Sequence, residues 1–172
     1  MGLLLRGLAI GAGVLVLAIG ALLVGARFAD GPLAIVAGGP FETGERIETP
    51  VDDWSFVHDV QEVEFQLLEP PRSRTTWIIE HDGRAFIPSG YMTSWWGRLW
   101  KQWPLEAEQD GRILLRIGGE IHPQRLVRIR SGPELPALVA ELGRKYVGDA
   151  GAIPVEAVDS GQLWLFEIVA RD

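Results

Sequence analysis

The sequence predicts a mainly β domain, an antiparallel barrel with one substantial soluble helix, carried behind a single N-terminal transmembrane helix. Three observations predict it: an uncharged run at the front, two tight-turn hairpins in the middle, and one stretch with helical spacing near the end. At 172 residues the chain is about one domain's worth. Apolar residues make up 47% and charged residues 23%, an ordinary globular composition that excludes a disordered or collagenous chain. Sixteen basic against 23 acidic residues leave a net charge of −7. General attraction to a polyanion is therefore not expected, and nucleic acid is not an expected partner. The absence of cysteine excludes a disulfide framework, a thiolate metal site and a cysteine nucleophile.

Residues 7–26 carry no charge and are bounded by Arg6 and Arg27. A helix of that length, rising about 1.5 Å per residue, matches a bilayer's hydrocarbon core of roughly 30 Å. The competing reading is a cleaved secretory signal, because Val24 and Ala26 are small enough for a cleavage site. The run exceeds the usual apolar core of a signal, about 7–15 residues, and this favours the anchor. Gly7 and Gly11 form one GxxxG spacing through which two such helices can approach. Arg6 and the α-amino group on one flank nearly balance Arg27 on the other. The short basic tail inside and the domain on the extracytoplasmic side is the favoured orientation.

Beyond the anchor the charge is uneven. Residues 42–69 hold nine acids and one base, whereas residues 72–130 hold ten bases and six acids. An anionic ligand would favour the second segment, although a folded domain can also pair or solvate both surfaces. Gly31, Pro32, Gly38, Gly39, Pro40, Gly44 and Pro50 crowd residues 30–53, which reads as a connecting arm. In residues 62–68 Val63, Phe65 and Leu67 alternate with polar neighbours, as a half-buried strand requires. Residues 75–80 and 85–88 flank His81-Asp82-Gly83-Arg84, a hairpin signal that places Trp77, Ile79, Phe86 and Ile87 in the core. A second hairpin joins 112–117 to 120–129 through Gly118-Gly119, and Pro123 predicts an edge or a bulge in its second strand. Leu135, Leu138, Val139, Leu142 and Tyr146 then repeat at three and four residues, a helix that Gly148 is placed to end. Residues 162–169 close the chain as a strand buried on much of both faces. The expected organisation is an anchor (1–29), an arm (30–53) and a barrel domain (54–172).

A family resemblance adds to this reading. Gly31-Pro32-Leu33, Gly38-Gly39-Pro40-Phe41, Gly44-Glu45, Asp53-Trp54-Ser55-Phe56, Trp77, His81-Asp82-Gly83, Ile87-Pro88, Lys101-Gln102-Trp103-Pro104 and the run Leu-Leu-Arg-Ile-Gly-Gly-Glu-Ile at 114–121 carry it. Together they resemble a little-characterised, membrane-anchored bacterial branch of the split β-barrel proteins. These are similar to the pyridoxamine-phosphate-oxidase and deazaflavin-dependent nitroreductase type. The resemblance spans roughly residues 31–130. It implies an antiparallel split β-barrel that holds flavin mononucleotide (FMN) or a deazaflavin, often across a homodimer, in the bacterial inner (cytoplasmic) membrane. It also implies phosphate contacts from basic and hydroxyl side chains, here Ser73, Arg74, Thr76, Ser89, Gly90 and Lys101. Arginine forks, hydroxyls and backbone amides suit such an anion independently of the family. Where the deazaflavin type has a Ser-Gly-Arg element, this chain has Arg72-Ser73-Arg74-Thr75-Thr76.

Four of the seven tryptophans, Trp95, Trp96, Trp100 and Trp103, fall within residues 91–104 with Arg98 and Lys101 between them. Indole rings prefer sites with one apolar and one wet side. The segment is thus a candidate contact with membrane lipid, a lid over a flavin- or quinone-like ring, or a plug in one barrel mouth. His58, His81 and His122 are far apart in sequence and form no metal-binding motif, so no metal is expected. No nucleophile elbow, phosphate loop or dinucleotide fingerprint is present. Two functions follow as expectations. One is a flavin- or deazaflavin-dependent oxidoreductase-like protein acting on a quinone or another apolar acceptor. The other is a non-catalytic envelope binding module whose Trp-rich surface meets lipid or protein. As a direct check of the anchor, alkaline carbonate is expected to leave the full-length protein in the membrane pellet; release into the supernatant would refute it.

Overall fold

The structure, a computed structural model, describes residues 2–93 and 102–171. Beyond Arg6, helix α1 (Gly2–Ala26) is apolar on all sides, and the most apolar 18 residues of its candidate span Leu4–Ala26 are not buried against the domain. Among the described residues it is the one helix long and apolar enough to cross a membrane. Its last residue, Ala26, is buried where the helix meets the domain.

The domain is a curled antiparallel sheet. Its strands are β1 (Glu45–Arg46), β2 (Glu62–Leu68), β3 (Pro71–Trp77), β4 (Ile79–His81), β5 (Arg84–Ser89), β6 (Arg112–Ile117), β7 (Glu120–Ile129) and β8 (Trp164–Ala170). A short 3-10 helix (Ser55–Val57) precedes β2. Helix α2 (Trp103–Gln109) leads into β6, and α3 (Leu135–Tyr146) and α4 (Glu156–Asp159) lie between β7 and β8. The order across the sheet is β3-β2-β6-β7-β8-β5-β4, with β1 added in parallel to β7. This is the expected mainly β architecture with α3 as its one substantial soluble helix. Helices α2 and α4, at seven and four residues, are too short to show a period in sequence.

Both predicted turns have the backbone they need. Asp82 and Gly83 lie at φ 51° and 73°, and Gly118 and Gly119 at 58° and 89°, as two-residue hairpin turns that suit the strand twist require. Pro123 is accommodated by an opening in the ladder. On the side of β7 away from β6, β1 covers Glu120 and Ile121 and β8 begins at Gln124, so the proline falls between the two pairings.

One expected strand is divided. Residues 75–80 belong partly to β3, which pairs with β2, and partly to β4, which pairs with β5, with Ile78 between them. The two ends of the sheet are therefore one continuous segment of chain, bent at Ile78. Residues at such a bend leave both ladders, yet a buried backbone group still needs partners. Ile78 is fully buried. Its N–H donates to Tyr146 Oη at 3.0 Å, and its carbonyl accepts from Lys145 Nζ at 2.9 Å. The Tyr146 hydroxyl also lies 2.7 Å from Ile78 O and 2.5 Å from Gln61 O, either of which can take its proton. Burial pushes the Tyr146 phenol up to about 12, so the donor stays protonated. Its ring stacks on Trp77, centroids 4.3 Å apart and planes 7° from parallel.

Alternation along the strands produces two cores. The inward faces of the sheet enclose Phe65, Ile87, Leu115, Phe166 and Trp103. On the outside, Ile79, Phe86 and Leu165 pack under the Leu135, Leu138, Val139 and Leu142 face of α3. That helix ends as expected, with Gly148 at φ 81°. Replacing Tyr146 by Phe keeps the stack on Trp77 but leaves the Ile78 N–H without its acceptor. We expect a loss of about 1–3 kcal/mol in urea unfolding of the detergent-solubilised chain. An unchanged midpoint would show that the bend is satisfied in another way.

Candidate functional site

The inward face of β3 carries an unusual set of side chains. Register pairs Phe65 with Arg74 and Val63 with Thr76, so Arg74 and Thr76 share the face that Phe65 and Val63 turn into the barrel. Most inward positions are apolar because their burial stabilises the fold; an arginine there needs a partner. Arg74 Nη2 lies 3.5 Å from Glu106 Oε2 on α2, and the Arg74 side chain is only 20% exposed. Among the described residues its buried Nη1 has no hydrogen-bond partner, and neither has Glu106 Oε2. Burial pushes the Arg74 pKa below its ordinary value, the Glu106 charge opposes that shift, and Arg72 adds to it. The guanidinium is thus a partly buried cation with an unused donor.

Other predicted residues are distributed around this point. Ser89, at the end of β5, has the same inward alternation as Ala85 and Ile87, and β5 also touches β3. Its hydroxyl donates to Met92 Sδ at 3.4 Å. A side chain at Gly90 would meet nothing within 4 Å. Arg74, Thr76 and Ser89 therefore share one face of the curled sheet. Ser73 points the other way: its hydroxyl donates to Gly39 O at 2.6 Å, and its backbone exchanges hydrogen bonds with Gly38. It fastens the arm. Trp103 is buried at 6% exposure, edge-on to Phe65 at 4.9 Å and 5.4 Å from Phe166, so it plugs the barrel. Lys101, Trp95, Trp96 and Trp100 lie outside the described residues, between β5 and α2.

On the outer face the arm runs over β2, β3 and β6. Arg116 hydrogen-bonds Glu64 at 2.7 Å and Asp30 at 2.9 Å, and its guanidinium lies 4.1 Å from the Phe41 ring centroid. Burial would lower the Arg116 pKa; the two carboxylates overcome it and leave it raised. Asp30 is held well below the ordinary carboxylate range, first by the Thr43 hydroxyl and then by the Glu42 amide and Arg116. Gln66, buried on the same outer face, accepts the Phe41 amide at 2.6 Å. The arm and this face enclose a cleft of about 850 Å³ lined by Asp30, Thr43, Glu62, Glu64, Thr75 and Arg116.

A second cleft, of about 590 Å³, brings His58, Glu80, His81, Asp82 and Glu141 together with Ser55. His58 Nδ1 is 3.2 Å from Glu80 Oε2. Sequence reasoning did not gather these residues, because the bend at Ile78 and the packing of α3 bring them together across 86 positions. The turn residue His81 was the one visible signal. Among the described residues no group of three histidines or carboxylates is arranged to hold a metal ion.

No protein-family model matches the chain, and no curated protein matches it. Among solved structures it is similar to the crystal structure of the conserved hypothetical protein Rv2991 from Mycobacterium tuberculosis. Identity is 13% and the TM-score 0.47, over 73% of this chain and 87% of that one.

The arm's fastening carries a pH dependence. Asp30 binds its proton less readily folded than unfolded, so its contribution is complete above the ordinary carboxylate value and is lost as pH falls below it. Between about pH 5 and pH 2 the melting temperature of the wild type should fall further than that of Asp30→Asn. Parallel curves would show that Asp30 does not hold the arm.

Proposed function

We propose that the protein is a membrane-anchored barrel that binds a flavin- or deazaflavin-type cofactor by its anionic end, as an oxidoreductase-like protein with a quinone or other apolar acceptor. The supporting observation is Arg74: a guanidinium mostly withdrawn from water, on the inward face with Thr76 and Ser89, whose Nη1 has no partner among the described residues. An unsatisfied buried donor costs free energy, and an anionic oxygen removes that cost with a charge-assisted hydrogen bond. The donor set thus fits the anionic end of such a group. A bound flavin would supply the electron chemistry itself. The chain's part is to hold and orient it: Arg74 supplies charge, and the Thr76 hydroxyl is the next polar group along the same strand face.

A second reading has its own observation. Glu106 Oε2 lies 3.5 Å from Arg74 Nη2 and is also unsatisfied, and Ser73 and Ser89 are engaged internally. In that reading the pair closes on itself, and the protein is a non-catalytic binding module of the envelope, meeting lipid or protein through the tryptophan-rich segment.

The test is a visible absorbance spectrum of the full-length protein in mild detergent, followed by titration with FMN and with a deazaflavin. A bound chromophore, or saturable binding on the order of micromolar, supports the cofactor reading. Arg74→Gln should then weaken binding by at least about tenfold. Unchanged affinity removes Arg74 from the site, and a colourless protein that binds neither compound supports the second reading.

A further inference from the structure

Just beyond α1 the chain makes a loop that leaves and returns at one point. The Gly39 N–H donates to Ala29 O at 3.2 Å, and a Cβ at Gly39 would sit 2.5 Å from Arg27 O and 2.7 Å from Ala29 O. Only glycine allows the returning strand this close to the end of the helix. The tip closes on itself: Leu33 N–H donates to Val36 O at 3.0 Å, and Val36 N–H to Leu33 O at 2.9 Å.

The loop exposes large apolar side chains close to the end of α1. Pro32, half-buried, and Ala34, exposed, border the 850 Å³ cleft. Three large apolar residues are left in the open, with Ile35 87% exposed, Leu33 44% and Phe28 80%, while Val36 is half-buried. A loop in water is expected to do the opposite, since each exposed apolar surface carries a hydration cost. The domain's other exposed large apolar residues, such as Phe56, Leu105, Val127 and Val147, are scattered singly over separate elements, as is ordinary.

Position identifies what covers the cluster. The neck of the loop lies at Ala29, three residues beyond the end of α1. Six residues of extended chain reach at most about 20 Å, so the tip cannot leave the neighbourhood of the point where α1 emerges. Arg27, at the neck, is suited to anionic headgroups. The reciprocal bonds between Leu33 and Val36 also remove backbone groups that would resist entry into a poorly hydrated layer.

We propose that Phe28, Leu33 and Ile35 form a lipid-facing wedge seated in the interfacial layer of the bilayer that α1 crosses. The inference rests on α1 being a membrane anchor. It gives the domain a second attachment beside the helix and sets the 850 Å³ cleft, which Pro32 and Ala34 of the same loop border, next to the lipid surface.

Because the natural chain has no cysteine, single cysteines report without background. Ile35→Cys, Val14→Cys and Val127→Cys variants of the full chain, each labelled with an environment-sensitive fluorophore, are reconstituted into phosphatidylcholine–phosphatidylglycerol vesicles. Quenchers are placed on the lipids at shallow or deep acyl positions. The Ile35 label should shift to the blue and lose more than about half of its emission to the shallow quencher, as groups seated in the interface do. The Val14 label should respond to the deep quencher and the Val127 label to neither. If Ile35 behaves as Val127 while Val14 is quenched, the wedge is refuted and the anchor stands. If Val14 is not quenched, the anchor fails and the wedge with it. An Ile35 label shielded from aqueous quencher yet insensitive to both lipid quenchers would assign the patch to a second copy of the chain and overturn the proposal.

Discussion

A strand that must serve both ends of a sheet is the constraint on which the architecture depends. β3 pairs with β2 and β4 with β5, yet only Ile78 separates them, so that residue cannot belong fully to either ladder. Its backbone is satisfied from outside the sheet by two adjacent side chains, Lys145 and Tyr146, at the end of α3. Lys145 also reaches Val57 O at 3.2 Å, which ties the 3-10 helix to the same point. Burial lowers the Lys145 pKa, and the two carbonyls that accept its protons replace the water it has lost. Curvature of the sheet, placement of α3 and the grouping of His58, Glu80 and Glu141 in one cleft all follow from closing the chain here.

A second fastening ties the domain to its anchor. Isolated surface ion pairs contribute little, because water screens them and long side chains lose entropy. Arg116 differs: its side chain is only 14% exposed, and it joins Glu64 of the sheet to Asp30 and Thr43 O of the arm. Removing one partner would leave a largely desolvated charge, which costs far more than a solvated pair gains. The Gly38–Ser73 exchange and the Gln66–Phe41 bond work alongside it. The segment between helix and barrel is a strap laid over the sheet rather than a free linker.

These two fastenings explain the distribution of polar groups around the barrel. Polar residues on its outer face at Gln66 and Ser73 are buried because they hold the strap. The inward Arg74 belongs to neither fastening and pairs with Glu106 of α2. Its ion pair with Glu106 is long at 3.5 Å and leaves donors and acceptors unsatisfied on both sides, which is poor economy for a merely structural contact. That contrast between fully used and half-used polar groups is the observation on which the proposed cofactor site rests.

Much of the fold was legible in the sequence because its signals are local. An uncharged run sets α1, period-two alternation sets β2, left-handed turn residues at Asp82-Gly83 and Gly118-Gly119 set two hairpins, and spacings of three and four set α3. The resemblance pointed to Ser73, Arg74, Thr76 and Ser89 alike, whereas the structure sets Arg74, Thr76 and Ser89 on one face and Ser73 on the other. Strand alternation places neighbours on opposite faces, and which face is inward depends on what packs against each. The break at Ile78, the strap over the outer face and the histidine-bearing cleft were decided by tertiary structure alone. Each depends on groups far apart in sequence satisfying buried backbone or charge, and no local pattern encodes such a meeting.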